Sequence, residues 1–154
     1  MHTGVVVKLT ICPAAEGYGY KFKRTDLEGE PEIEAIATRV SFTQRGTVLA
    51  GDNGETISTI EHLLSALRAL RVDNCCIELD GPEVPILDGS AKPFVEGIRQ
   101  VGIVEQEAER LYCVIKEKLV YEEPERGLRI IALPENYFCA QVNIAFEGSR
   151  CLSN

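Results

Sequence analysis

Apolar positions recur at two different spacings along this chain, and the change from one to the other marks out its elements. Over 60–70, Ile60, Leu63, Leu64, Leu67 and Leu70 fall three or four residues apart, which predicts an amphipathic helix. Phe94, Ile98 and Val101 repeat that spacing and predict a second helix, entered near 90–93 and stopped by Gly102. Shorter apolar runs bounded by turn residues predict strands at 3–12, closed by Pro13, and at 18–24, where Tyr20 and Phe22 alternate with lysines. Residues 32–40 and 47–49 continue the sheet, and 75–79 is an apolar strand broken by Gly81-Pro82. Residues 26–31 read as an acidic loop and Gly51-Asp52-Asn53-Gly54 as a turn. The charged stretch 105–110 is the best candidate for a linker. Beyond it, 111–117, 119–121, 128–133 and 138–146 read as strands, with a hairpin loop at 122–127. Both helices come late, after runs of strands, so the order predicts an α+β layer arrangement and not βαβ repeats.

Composition narrows the function classes. With 154 residues and 45% hydrophobic side chains the chain is long enough for a packed core. A formal net charge of −8 argues against nucleic acid, whose phosphates need clustered Lys and Arg. The acidic residues are scattered, as on a solvated surface. No basic amphipathic helix and no long apolar run predicts membrane binding or spanning. Six cysteines, at 12, 75, 76, 113, 139 and 151, form no C-x-x-C pair, and Cys75 and Cys76 should point to opposite faces of their strand. Buried, reduced thiols in a reducing cytosol are the expectation. The sequence holds no GxGxxG, no P-loop and no short-period repeat.

Chemistry concentrates in Ser58-Thr59-Ile60-Glu61-His62-Leu63-Leu64-Ser65-Ala66-Leu67. Ser58 and Glu61 have capping-box spacing, so the hydroxyl is expected on a free amide at N3 and the carboxylate back on the N-cap amide. At a first helical turn the free amides and the dipole favour a carboxylate anion and a neutral imidazole. A neutral imidazole can bind a metal, and a carboxylate beside a bound water can act as its general base. Glu61-His62 is also what capping alone would leave in many helices, because a zinc site needs three or four ligands and this pair supplies one good one. Downstream, Glu83 and Asp88 lie in the loop Pro82-Glu83-Val84-Pro85-Ile86-Leu87-Asp88-Gly89-Ser90. Rigid prolines, an Asp-Gly turn and a helix entry account for that loop without chemistry.

Together, Ile60-Glu61-His62-Leu63, Asp73-Asn74 and Pro82-Glu83-Val84-Pro85-Ile86-Leu87-Asp88-Gly89-Ser90-Ala91 resemble the bacterial UDP-3-O-acyl-N-acetylglucosamine deacetylases, the zinc enzymes of lipid A synthesis. His2-Thr3-Gly4 is similar to the end of that family's Gly-x-His-Ser/Thr-Gly, and 18–26 to its Gly-Tyr-x-x-x-Arg-x-Asp. The likeness is specific from the first residues to about 104 and looser beyond. It implies Glu61 as general base for the water that attacks the acetamide carbonyl, His62 as a zinc ligand, and His2 close to the active site. It implies further zinc ligands and a later catalytic histidine beyond residue 154, and hence a chain cut at both ends. The substrate implied is an acylated UDP-N-acetylglucosamine, and the compartment the cytoplasm.

The expected fold is therefore an α+β, two-layer sheet-plus-helices domain over 1–106, followed over 107–154 by the incomplete start of a second, similar domain. By resemblance the intact enzyme packs its helices between two sheets. The expected function is the N-terminal part of a zinc-dependent deacetylase, inactive as this chain alone. The alternative is a non-catalytic domain that keeps the fold but works by binding or assembly. A His-x-x-x-Asp helix and a later histidine in the coding sequence past residue 154 would decide for the enzyme.

Overall fold

In the computed structural model, residues 4–144 are described, and the chain divides into two compact units, Met1–Arg110 and Leu111–Asn154. The first unit holds a four-stranded sheet in which β7 (Cys75–Leu79) lies between β1 (Leu9–Pro13) and β2 (Tyr20–Arg24), with β3 (Glu32–Glu34) on the outer edge of β2. β7 runs antiparallel to β1 and parallel to β2, and β2 runs antiparallel to β3. A single 3-10 turn at Ala37–Arg39 carries the chain to an antiparallel sheet of β4 (Val40–Phe42), β5 (Val48–Ala50) and β6 (Thr56–Ser58). Helices α1 (Glu61–Ala69) and α2 (Lys92–Val101) pack against each other. This is the expected α+β class.

Alternation in β7 shows how the core is built. Cys75, Ile77 and Leu79 are buried, and Cys76 and Glu78 between them face outward. Phe22 and Ile33 extend the inward face, and Leu63, Ala66 and Leu67 of α1 cover it with Leu49 and Ile57 of the second sheet and Phe94 of α2. This one cluster joins both sheets and both helices, so stability of the unit and placement of the first turn of α1 share the same contacts.

Several elements differ from the sequence reading, each for a local reason. The run 3–12 pairs only from Leu9, because its partner β7 ends at Leu79 and the Asp80 carboxylate takes the Lys8 N–H at 2.7 Å. The run 32–40 is interrupted, since Ala37–Arg39 turns the chain from one sheet to the other. Phe94, Val95 and Ile98 pack on the core, whereas Val101 at the far end of α2 is 89% exposed. The stretch 105–110 is stitched to the first unit. Gln106 accepts from the Asn74 amide and donates to the Ala14 carbonyl, and Arg110 binds Asp73 at 2.6 Å. Thiols do not share one environment as expected: Cys75 is buried, Cys12 and Cys76 are half-buried, Cys113 and Cys139 are exposed, and Cys151 lies outside the described residues.

In the second unit, β8 (Leu119–Glu123) and β9 (Leu128–Ala132) form an antiparallel hairpin turned at Pro124–Arg126, with Gly127 in the left-handed region. The hairpin is longer than expected because Glu122 pairs with Arg129 and Glu123 with Leu128, leaving only 124–127 to turn. Residues 111–117 and the described part of 138–146 form no strand, lacking a pairing partner among the described residues.

Candidate active site

Ser58 ends β6 and is clamped from both sides. On one side it pairs with Val48. On the other its N–H and hydroxyl both donate to the Pro82 carbonyl, at 2.9 and 3.2 Å, and its carbonyl accepts the Val84 N–H at 3.0 Å. The expected capping role is therefore overturned: Ser58 belongs to the sheet, Ile60 occupies the N-cap position, and α1 has no side-chain cap. The chain leaves the strand through Thr59, which has φ of 60°. A β-branched residue in the left-handed region costs on the order of 1–3 kcal/mol and persists only where its surroundings hold it. Here the Thr59 hydroxyl donates to Glu83 Oε1 at 3.0 Å, and both residues are buried.

Glu61 is thus the first residue of α1, and its carboxylate does not turn back to a cap amide. Its Oε2 accepts the Thr47 N–H at 3.0 Å across from the β4–β5 hairpin. Gly46 lies beside it: a Cβ there would sit 3.5 Å from Glu61 Oε1 and 3.8 Å from Thr59 Oγ1. That hairpin turn, with Phe42, Gln44 and Arg45, and the Ser58-Thr59 junction line an open depression of about 400 Å³. Glu61 is half-buried, oriented by a backbone donor, and retains Oε1 for a further partner. That arrangement suits an acceptor of a proton from a water.

His62 follows on the same turn and is half-buried. Its carbonyl accepts the Ser65 hydroxyl at 2.8 Å. Among the described residues no group of three or more His, Cys, Asp or Glu side chains is placed to hold a metal. His2 lies outside the described residues.

The loop residues that sequence left without chemistry separate in the structure. Asp88 accepts the Ser90 N–H and hydroxyl at 2.9 and 2.8 Å, and Ser90 Oγ in turn accepts the Lys92 N–H at the entry to α2. The Ser90 donors hold the Asp88 carboxyl below the usual carboxylate range. Glu83, in contrast, is 3% exposed and meets the Thr59 junction. Sequence reasoning missed the Thr47 amide, which holds Glu61, and the buried contact of Glu83 with Thr59. The amide is a backbone group with no sequence signal, and the signal for Glu83 was a carboxylate between two prolines.

The model of the family described as UDP-3-O-acyl N-acetylglycosamine deacetylase matches residues 1–153. A bifunctional enzyme LpxC/FabZ of Porphyromonas gingivalis is 54% identical over 155 residues, spanning 100% of this chain and 33% of that protein. A UDP-3-O-acyl-N-acetylglucosamine deacetylase of Thermosynechococcus vestitus is 47% identical over 135 residues, 88% of this chain and 47% of that one. Another of that name from Bdellovibrio bacteriovorus is 45% identical over 131 residues, 85% of this chain and 43% of the relative. The chain thus spans between a third and a half of the length of these relatives.

Proposed function

The chain belongs to the UDP-3-O-acyl N-acetylglycosamine deacetylase family, and from that premise we propose that it supplies the general base of a bacterial, cytoplasmic enzyme that removes the acetyl group of an acylated UDP-N-acetylglucosamine in lipid A synthesis. The observation that carries the proposal is the Glu61 carboxylate, turned away from its own helix, fixed by the Thr47 N–H and set beside Gly46, which lines the open depression.

In the proposed reaction a water oxygen bonds to the acetamide carbonyl carbon while its proton passes to Glu61. The carbon–nitrogen bond then breaks, acetate leaves, and the nitrogen needs one proton, which the protonated Glu61 can hold. A fixed acceptor lowers the barrier because no reorientation is needed as the proton moves.

His62 is proposed as one zinc ligand. The described residues do not fit a complete zinc site, since one imidazole stands where three protein ligands are the minimum, and no step above passes through the metal. Residues 107–154 are proposed as the beginning of a second domain of similar build, to which the remaining ligands would belong.

Two measurements test the reading. In the full-length protein, Glu61→Gln should lower kcat by roughly a hundredfold to ten-thousandfold, the usual cost of removing a general base. Activity within a few-fold of the parent would remove Glu61 from the mechanism. The isolated 154-residue chain should show no turnover and should lack stoichiometric zinc after dialysis. One zinc per chain, lost in His62→Ala, would reveal a complete site within it.

A further inference from the structure

We propose that Glu83 is a positioning residue for Glu61, acting through the Thr59 hydroxyl to fix the turn that sets the first residue of α1 against the Thr47 amide; the proposal rests on reading Glu61 as the base. Three bonds between Ser58 and residues 82 and 84 already close the junction between β6 and the proline loop, and none of them uses the Glu83 side chain. Val84 beside it is buried in the hydrophobic core. An apolar side chain would fill the place of Glu83 at less cost than a carboxylate, which must be desolvated to be 97% buried. Among its interactions, the carboxylate supplies the acceptor that fixes the direction of the Thr59 hydroxyl at 3.0 Å.

That hydroxyl sits at the point of greatest leverage. Thr59 is the residue at which the backbone turns through φ of 60° out of the ladder, and only the N-cap residue, Ile60, separates it from Glu61. A rotation at Thr59 therefore swings Glu61 relative to the Thr47 amide. Thr59 Oγ1 and Glu61 Oε1 also converge on Gly46, so the proline loop, the turn, the hairpin and the base form one connected set.

Thr59→Gly and Thr59→Ser in the full-length enzyme separate positioning from folding. Glycine accepts the left-handed conformation more readily than threonine but deletes the hydroxyl, whereas serine keeps it. Thr59→Gly should keep the melting temperature within a few degrees yet lower kcat about 10- to 100-fold with little change in KM, as expected for a displaced catalytic group. Thr59→Ser should restore kcat to within a few-fold. Glu83→Leu, which removes the acceptor at similar size, should follow Thr59→Gly, whereas Glu83→Gln, whose amide oxygen still accepts, should stay within a few-fold of the parent. The Thr47 amide proton, which reads the Glu61 carboxylate directly, should shift in its NMR spectrum in Thr59→Gly and not in Thr59→Ser. Parental kcat together with an unmoved Thr47 resonance in Thr59→Gly would overturn the proposal. If instead Glu61→Gln proves fully active, the reading of the base fails, and the Thr47 resonance still decides whether Glu83 and Thr59 hold the Glu61 side chain.

Discussion

Arg24 shows how much a single side chain can join. Its Nε and Nη2 donate to both oxygens of Asp26 at 2.7 and 2.6 Å, while Nη1 donates to the Thr56 carbonyl at 2.7 Å and so ties the four-stranded sheet to the second one. The guanidinium is buried, and its hydrogen bonds hold the Asp26 carboxyl below the usual range against the opposing effect of burial. A depressed folded pKa contributes stability that is complete above the ordinary carboxylate value of 3.8 and is lost as pH falls through the lower folded value. Asp26→Asn should therefore cost about 1–3 kcal/mol at neutral pH, because it weakens the pairing of a buried cation, and should flatten the acid limb of stability below pH 4. Urea unfolding at pH 7 and at pH 3 measures both, and an unchanged acid limb would assign it to other carboxylates. The spacing of Arg24 and Asp26 was legible in the family-like string at 18–26, and so was Glu61-His62. The Thr56 carbonyl was not, since a backbone acceptor 32 residues away leaves no mark on the string. Nor was the loss of the capping box: Ser58 and Glu61 have the right spacing, but sheet pairing on both sides of Ser58 outweighs a cap bond.

Elements were read well where one pattern dominates and poorly where a partner decides. β7 appears at its predicted residues because five consecutive positions alternate cleanly between core and outer face. α1 agrees to within one residue at each end, although its stop has no glycine: Arg71 takes φ of 58°, and the Val72 and Arg71 amides bond to Leu67 and Arg68 as a Schellman motif requires. The apolar stripe of α2 was read one turn too far, because periodicity cannot tell where the facing surface ends. Two substitutions expose that difference. Leu67→Ala, at a fully buried position of α1, should lower stability by about 2–5 kcal/mol, the usual cost of a core cavity. Val101→Ser should change it by less than about 0.5 kcal/mol, as at other surface sites. Equal losses in denaturant unfolding would mean that Val101 is covered in solution.

At the scale of the whole molecule the two compact units differ in how they bury apolar surface. The first gathers buried residues from five strands, from the proline loop and from both helices into one core. The second offers a two-stranded hairpin whose cross-strand pairs, Val120 with Ile131 and Tyr121 with Ile130, lie on opposite faces and are all exposed. Leu111 and Phe138 are exposed as well, at 95% and 82%. An isolated hairpin is marginal in water, and strand edges without partners are templates for pairing with another chain. Ion pairs such as Arg129 with Glu122 at 2.7 Å do little to offset this, since exposed pairs contribute about 0–1 kcal/mol. Amides after Arg110 should therefore exchange with solvent much faster than those of 60–79, whose side chains face the core from α1 and β7. The chain should also self-associate as its concentration rises, since exposed apolar patches and open edges drive association. Hydrogen exchange read by mass spectrometry, with sedimentation over a concentration series, tests both. Equal protection of the two units in a strictly monomeric chain would show that the second unit is stable by itself, and would count against reading it as the beginning of a larger domain.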